Sequence, residues 1–163
     1  MITYLQQRPH IQSGDVIAFT HKEWHTLADM EIQAVRFFTQ SEFSHVGIAW
    51  VVGGRVFILE AVVPAIRIFP LSSCTPFYHI PMCRELSEDA LEYALDQVGE
   101  AYSKTEAIKA FFGKEKDDDQ WECAEYVHSV LEANGILLPG KATPTGVVND
   151  LLEIGKSLSM VTA

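Results

Sequence analysis

No apolar run in the sequence approaches the length that spans a membrane, about 20 consecutive residues for a helix. The opening MITYLQQRPHIQSGD lacks the charged segment and apolar core of a secretory signal. A cytoplasmic location is therefore expected, with export by another route left open. Cysteine is sparse: Cys74, Cys83 and Cys123 are three in number, with no CxxC pair. That pattern speaks against a disulfide framework and a zinc knuckle. Positive charge is also sparse. The 12 Lys and Arg face 22 Asp and Glu, a formal net charge of −10, which argues against nucleic acid or an anionic membrane as partner. Neither a repeat nor a linker composition interrupts the 163 residues, so they read as one domain, 1–163, long enough to bury a core.

What is present reads as strands first and helices after, an α+β pattern. DVIAFT (15–20) follows a Ser-Gly turn as a first strand. Ala28 to Thr39 carries a modest helical spacing of apolar residues. Strands follow at His45–Val52 and Arg55–Val63, joined by Gly53-Gly54, a pair suited to a two-residue hairpin turn. IRIFPL (66–71) and FYHIPM (77–82) are two more short strands, with Pro70 and Pro81 placing them near edges or strand ends. Ser87 then caps a helix reaching Val98, with Glu88 and Asp89 in its first turn. Short helical spacing recurs at Thr105–Phe112, and Lys114–Gln120 is a charged loop. Trp121–Asn134 is a helix stopped by Gly135, and Thr143-Pro144 opens a last one.

The hairpin SHVGIAWVVGGRVFILEA (44–61) places two titratable groups in apolar strands. With a two-residue turn, Val52 faces Arg55, Gly47 faces Glu60 and His45 faces Val62. His45 and Glu60 then share a sheet face as diagonal neighbours, roughly 7–8 Å apart at Cβ. The carboxylate is in reach of the imidazole and would hold one of its tautomers. Gly47 and Ala49 beside His45 leave room for another element to approach that face. Taken alone, such a pair is better explained by self-satisfaction in a core.

WECAEYVHSVL (121–131) supplies a third group. It places Cys123 in the first turn of a helix, where the positive end of the helix dipole favours a thiolate. Cys74 and Cys83 lie away from helix starts and read as small core residues. His128 is five residues on from Cys123, about 140° around the helix, so the thiol's partner must come from another element, with His45 the candidate. His21 and His25 have the i, i+4 spacing of metal ligands, but lack the HExxH pattern and a third ligand. His79 is taken as a strand residue with a local partner.

In their order, GDVIAF, SHVGIAW, FILEA, GEAYSK and WECAEYVHSVL resemble the circularly permuted NlpC-type branch of the papain-like cysteine peptidases and amidases, which is related to lecithin–retinol acyltransferase-like proteins. The resemblance covers about residues 13 to 135. It implies a permuted papain-like fold, a small antiparallel sheet or barrel packed against the helix that bears the nucleophile. It implies Cys123 as nucleophile, His45 as base and Glu60 as the residue orienting it, with no cofactor and no metal. Many relatives carry a Tyr or similar residue directly before the Cys, where this chain has Glu122 after Trp121. The backbone N–H of Cys123 is the expected oxyanion donor, with Gln120 or Tyr102 as a second; Tyr102 and Trp121 are candidate cleft walls.

The expected activity is that of a cysteine hydrolase cleaving an amide, such as a peptide or cell-wall peptide bond, through an acyl-enzyme on Cys123. Two alternatives stand beside it. One is a lipid or thioester acyl hydrolase or acyltransferase with the same triad, for which Phe37, Phe38, Phe43, Phe111 and Phe112 are candidates to line an acyl groove, with core packing the plainer reading. The other is a catalytically idle binding or structural module. The expected partner is a peptide or acyl-containing substrate.

Overall fold

Alternating apolar residues in the first half of the chain build a sheet that is buried on both faces. The computed structural model describes residues 2–20, 42–62, 64–100 and 120–163. The expected helices at 28–39 and 105–112 and most of the charged loop at 114–120 lie outside them. The elements are β1 (Ile2–Thr3), α1 (Tyr4–Gln7), a 3₁₀ turn (Arg8–His10), β2 (Val16–Phe19), β3 (His45–Val52), β4 (Arg55–Val62), β5 (Ala65–Pro70), a second 3₁₀ turn (Leu71–Ser73), β6 (Phe77–Ile80), α2 (Glu88–Asp96), α3 (Gln120–Ala133), α4 (Pro144–Glu153) and β7 (Ser159–Thr162).

The strands form one mixed sheet in the order β1-β7-β6-β2-β3-β4-β5. All pairings are antiparallel except β1 with β7. The fold is α+β, and the sheet is open and larger than the small antiparallel sheet or barrel expected. The difference is the edge beyond β6. There β7 returns after the last helix and pairs with β6, and the two-residue β1 adds to it in parallel.

Strand alternation divides the core in two. Val16, Ala18, Val46, Ile48, Leu59, Ala61 and Ile80 point to one face, where they cluster with Cys123, Ala124, Val127, Val130 and Leu131 of α3 and Val147, Val148 and Leu151 of α4. Ile17, Phe19, Ala49, Val56, Ile58, Phe77 and Val161 point to the other, beneath Ile11 and Leu71. A fully buried side chain of this size contributes about 1.5–3 kcal/mol, so the strands read as near-continuous apolar runs.

The helices carry their own start and stop signals. Ser87 Oγ accepts the Ala90 N–H at 3.2 Å, and Thr143 Oγ1 accepts that of Gly146 at 3.0 Å. At the end of α3, Gly135 takes φ +75° while its N–H bonds to Glu132 O and that of Ile136 to Leu131 O, a Schellman stop. Asn134 caps the join by accepting the Ser87 N–H at 2.9 Å. The Tyr126 hydroxyl donates to Ala94 O at 2.8 Å, tying α3 to α2 and fixing how the N-terminal turn of α3 meets the sheet. Among the described residues no helix is long and apolar enough to cross a membrane.

Candidate active site

The hairpin register brings the first two titratable groups together. Val52 pairs with Arg55 and Ile48 with Leu59 across Gly53-Gly54. His45 Nε2 lies 2.7 Å from Glu60 Oε2. Glu60 is 1% exposed and His45 13%, so the contact is nearly dry and a charge there is stabilised only by its partners. The His45 ring packs against Phe19, with centroids 5.6 Å apart. Ser44 bonds to Phe19 O through its backbone N–H at 2.9 Å and its hydroxyl at 3.3 Å, which anchors the strand end that carries His45.

Arg67, which sequence reasoning missed, completes the surroundings of Glu60. It stands directly opposite Glu60 in the β4–β5 ladder. Its Nε and Nη2 both donate to Glu60 Oε1, at 2.8 and 2.7 Å. Each carboxylate oxygen thus has its own cationic or N–H partner. The guanidinium is braced over the Phe69 ring, 4.5 Å from its centroid. The available signal was a lone charge in the apolar strand IRIFPL.

Cys123 is the fourth residue of α3 and 1% exposed. It lies near enough to His45 to act on that ring by charge and hydrogen bonding. Because Nε2 is engaged by Glu60, Nδ1 is the ring nitrogen left to face the sulfur. Burial pushes the His45 pKa down. The charge and hydrogen bond of Cys123, then the hydrogen bond and charge of Glu60, more than reverse this and raise it to about 10. For Glu60, burial acts upward and is overcome by the hydrogen bond and charge of His45, then those of Arg67, so its pKa is lowered.

The approach of α3 differs from the sequence expectation. The space beside Gly47 is filled by Ile58: a Cβ at position 47 would stand 2.7 Å from Ile58 Cδ1. Cys123 clusters instead with Val46, Ile48 and Leu59 on the other face. It meets His45 because His45 is the first residue of β3, at the strand's end, where a side chain from the opposite face can reach it.

The other candidates are placed as follows. Tyr102 lies outside the described residues, as do His21, His25, Phe37, Phe38, Phe111 and Phe112. Gln120 and Trp121 belong to the first turn of α3 by their backbone, and their side chains lie outside the described set. Phe43 is a core residue, 3% exposed, edge-on to Tyr78. His128 has a buried Nε2 with no hydrogen-bond partner among the described residues. His79 corrects the expectation of a local partner. Its Nε2 donates to Asp15 Oδ2 at 2.8 Å and its Nδ1 lies 2.8 Å from the Gln7 amide, both far away in sequence, because β2 and β6 are ladder neighbours. Cys74 is half-buried as expected, whereas Cys83 is exposed, in a left-handed conformation with φ +56°. Among the described residues no group of three or more His, Cys, Asp or Glu is placed to hold a metal ion.

No family model and no curated protein sequence matches the chain. Among solved structures, it is similar to a protein described as metalloprotein yiiX from Escherichia coli O157:H7, DUF1105. The TM-score is 0.54 at 21% identity, over 80% of this chain and 69% of that one. This likeness is one of fold.

Proposed function

We propose that the chain is a cysteine hydrolase with a permuted papain-like arrangement, in which Cys123 is the nucleophile, His45 its base and Glu60 the residue that orients His45. The observation that carries the reading is the grouping of three side chains: His45 Nε2 lies 2.7 Å from a buried Glu60, and Cys123 acts on the same ring by charge and hydrogen bonding. Two isolated buried groups would satisfy each other. A third, a thiol in the first turn of a helix, makes the set a nucleophile, a base and an orienting acceptor. The chain order His, Glu, Cys, with strands before the helix, also agrees with the resemblance noted in the sequence.

The chemistry follows from these roles. Glu60 accepts the hydrogen bond of the Nε2–H. With its pKa raised to about 10, in part by the charge of Cys123, His45 carries the proton of the pair at neutral pH, and the sulfur attacks the substrate carbonyl carbon as the thiolate. The C–O π electrons move onto oxygen, and backbone N–H groups at the N-terminal end of α3 receive the oxyanion. Collapse breaks the bond to the leaving amine, which takes the proton from His45. Water, deprotonated by His45, then releases the acid and restores the thiolate beside a protonated His45. The preference for an amide substrate over an ester or thioester comes from the resemblance.

The test is incubation of the purified chain with a mixed panel of peptide amides and short-chain thioesters, followed by mass mapping of acyl adducts. The expected result is an adduct on Cys123, absent in H45A. Accumulation from thioesters alone moves the substrate to the lipid-related alternative. Labelling of Cys123 no greater than that of Cys74 and Cys83 overturns the enzymatic reading.

A further inference from the structure

We propose that Arg67 is a positioning residue for this site: it holds Glu60 as an acceptor and so decides which nitrogen of His45, in its neutral form, turns a lone pair toward Cys123. The inference rests on the proposed function for its catalytic meaning, but its structural content stands apart from activity.

The argument begins with Glu60. A carboxyl group that is 1% exposed pays heavily for its charge and takes up a proton unless both oxygens are engaged. His45 engages Oε2, and the Arg67 fork engages Oε1. Opposition in the β4–β5 ladder and stacking on Phe69 hold the fork in place. The groups that face this carboxylate are His45 from β3, Arg67 from β5 and, by charge, Cys74 after the second 3₁₀ turn; Cys123 from α3 acts on His45. Arg67 is the one permanent cation among them.

Consider the same site without the fork. Glu60 takes a proton from solvent and becomes a donor toward Nε2. A neutral imidazole answers by carrying its single proton on Nδ1, the nitrogen that faces the sulfur. In the acyl-enzyme, where the sulfur carries no charge and His45 has given its proton to the leaving amine, Nδ1 is then occupied where a lone pair must take the proton of water. A wrong tautomer costs a general base about 10²-fold or more in rate.

The experiment compares wild type, R67M and R67K. R67M retains an unbranched apolar stem and removes the guanidinium that lies over Phe69. R67K retains a charge but loses the fork. The first readout is the ¹⁵N spectrum of the His45 ring across pH, which needs no substrate. The expected result is a neutral form protonated at Nε2 in wild type and at Nδ1 in R67M, with R67K between them. The second readout is release of the acyl group from Cys123 against pH, which R67M is expected to slow about 10²-fold near neutrality. An unchanged His45 tautomer in R67M, or in R67K if R67M does not fold, overturns the proposal. A tautomer change with no acylation in any variant upholds the positioning role and removes the hydrolase reading instead.

Discussion

Replacing Glu60 by glutamine tests the buried charge directly, because shape is kept and ionisation is lost. Three donors converge on the carboxylate, from His45 at 2.7 Å and from Arg67 at 2.8 and 2.7 Å. Bonds to a charged group are worth about 1.5–3 kcal/mol each. The Arg67 share is discounted, since its side chain is 40% exposed and recovers water when released. The new amide also turns a donor toward either His45 or Arg67. The net expectation is a loss of about 2–4 kcal/mol at neutral pH. The sign with pH follows from the lowered Glu60 pKa. Above the ordinary value of 4.5 both folded and unfolded carboxyls are ionised and the contribution is whole. As pH falls through the depressed folded value the native state takes up its proton and the contribution is lost. The deficit of E60Q relative to wild type therefore shrinks in acid. Urea denaturation of both proteins at pH 7 and about pH 3 measures it. A deficit equal at both pH values, or below about 1 kcal/mol at neutrality, refutes the claim that Glu60 is held ionised in the core.

Two further substitutions probe the scaffold. G47A places a Cβ 2.7 Å from Ile58 Cγ1 and Cδ1 and 2.9 Å from Leu59 O. It should cost about 1–3 kcal/mol, partly recovered in G47A/I58V; additive losses in the denaturation midpoints count against the packing account. D15N disturbs a carboxylate that accepts the Gln12 N–H, the Met82 N–H and His79 Nε2, each at 2.8 Å. A loss of about 3 kcal/mol is expected, and calorimetry giving less than about 1 kcal/mol would mean that this cluster is not holding α1 to β6.

The parts of the fold legible in the sequence were those written in local signals. Gly53-Gly54 sets the hairpin length, and a period of two then assigns every face, so the neighbourhood of His45 and Glu60 follows from counting. Ser87, Thr143 and Gly135 likewise mark helix ends through contacts within a few residues. What was not legible depends on distant partners. Nothing near SMVT (159–162) reveals that it pairs with β6, some 80 residues earlier, and nothing near Ile17 foretells His79 beside it. Arg67 was missed because its meaning depends on the β4–β5 register, where no two-residue turn of glycines fixes the count. The face chosen by α3 was misjudged because small residues imply room only until a neighbour's side chain, here that of Ile58, is built into it.

Arg67 also matters to the sheet that carries it. An open sheet ends in strands whose free N–H and C=O groups invite pairing with another chain. At one end of this one stands β1, only two residues long. At the other stands β5, with an inward-directed guanidinium at its third residue and Pro70 at its last, while Gly99 takes up the carbonyl of Ile66. A short strand, an inward charge and a proline are devices that discourage edge-to-edge association. The side chain that steadies Glu60 thereby also guards the rim of the molecule against its own copies.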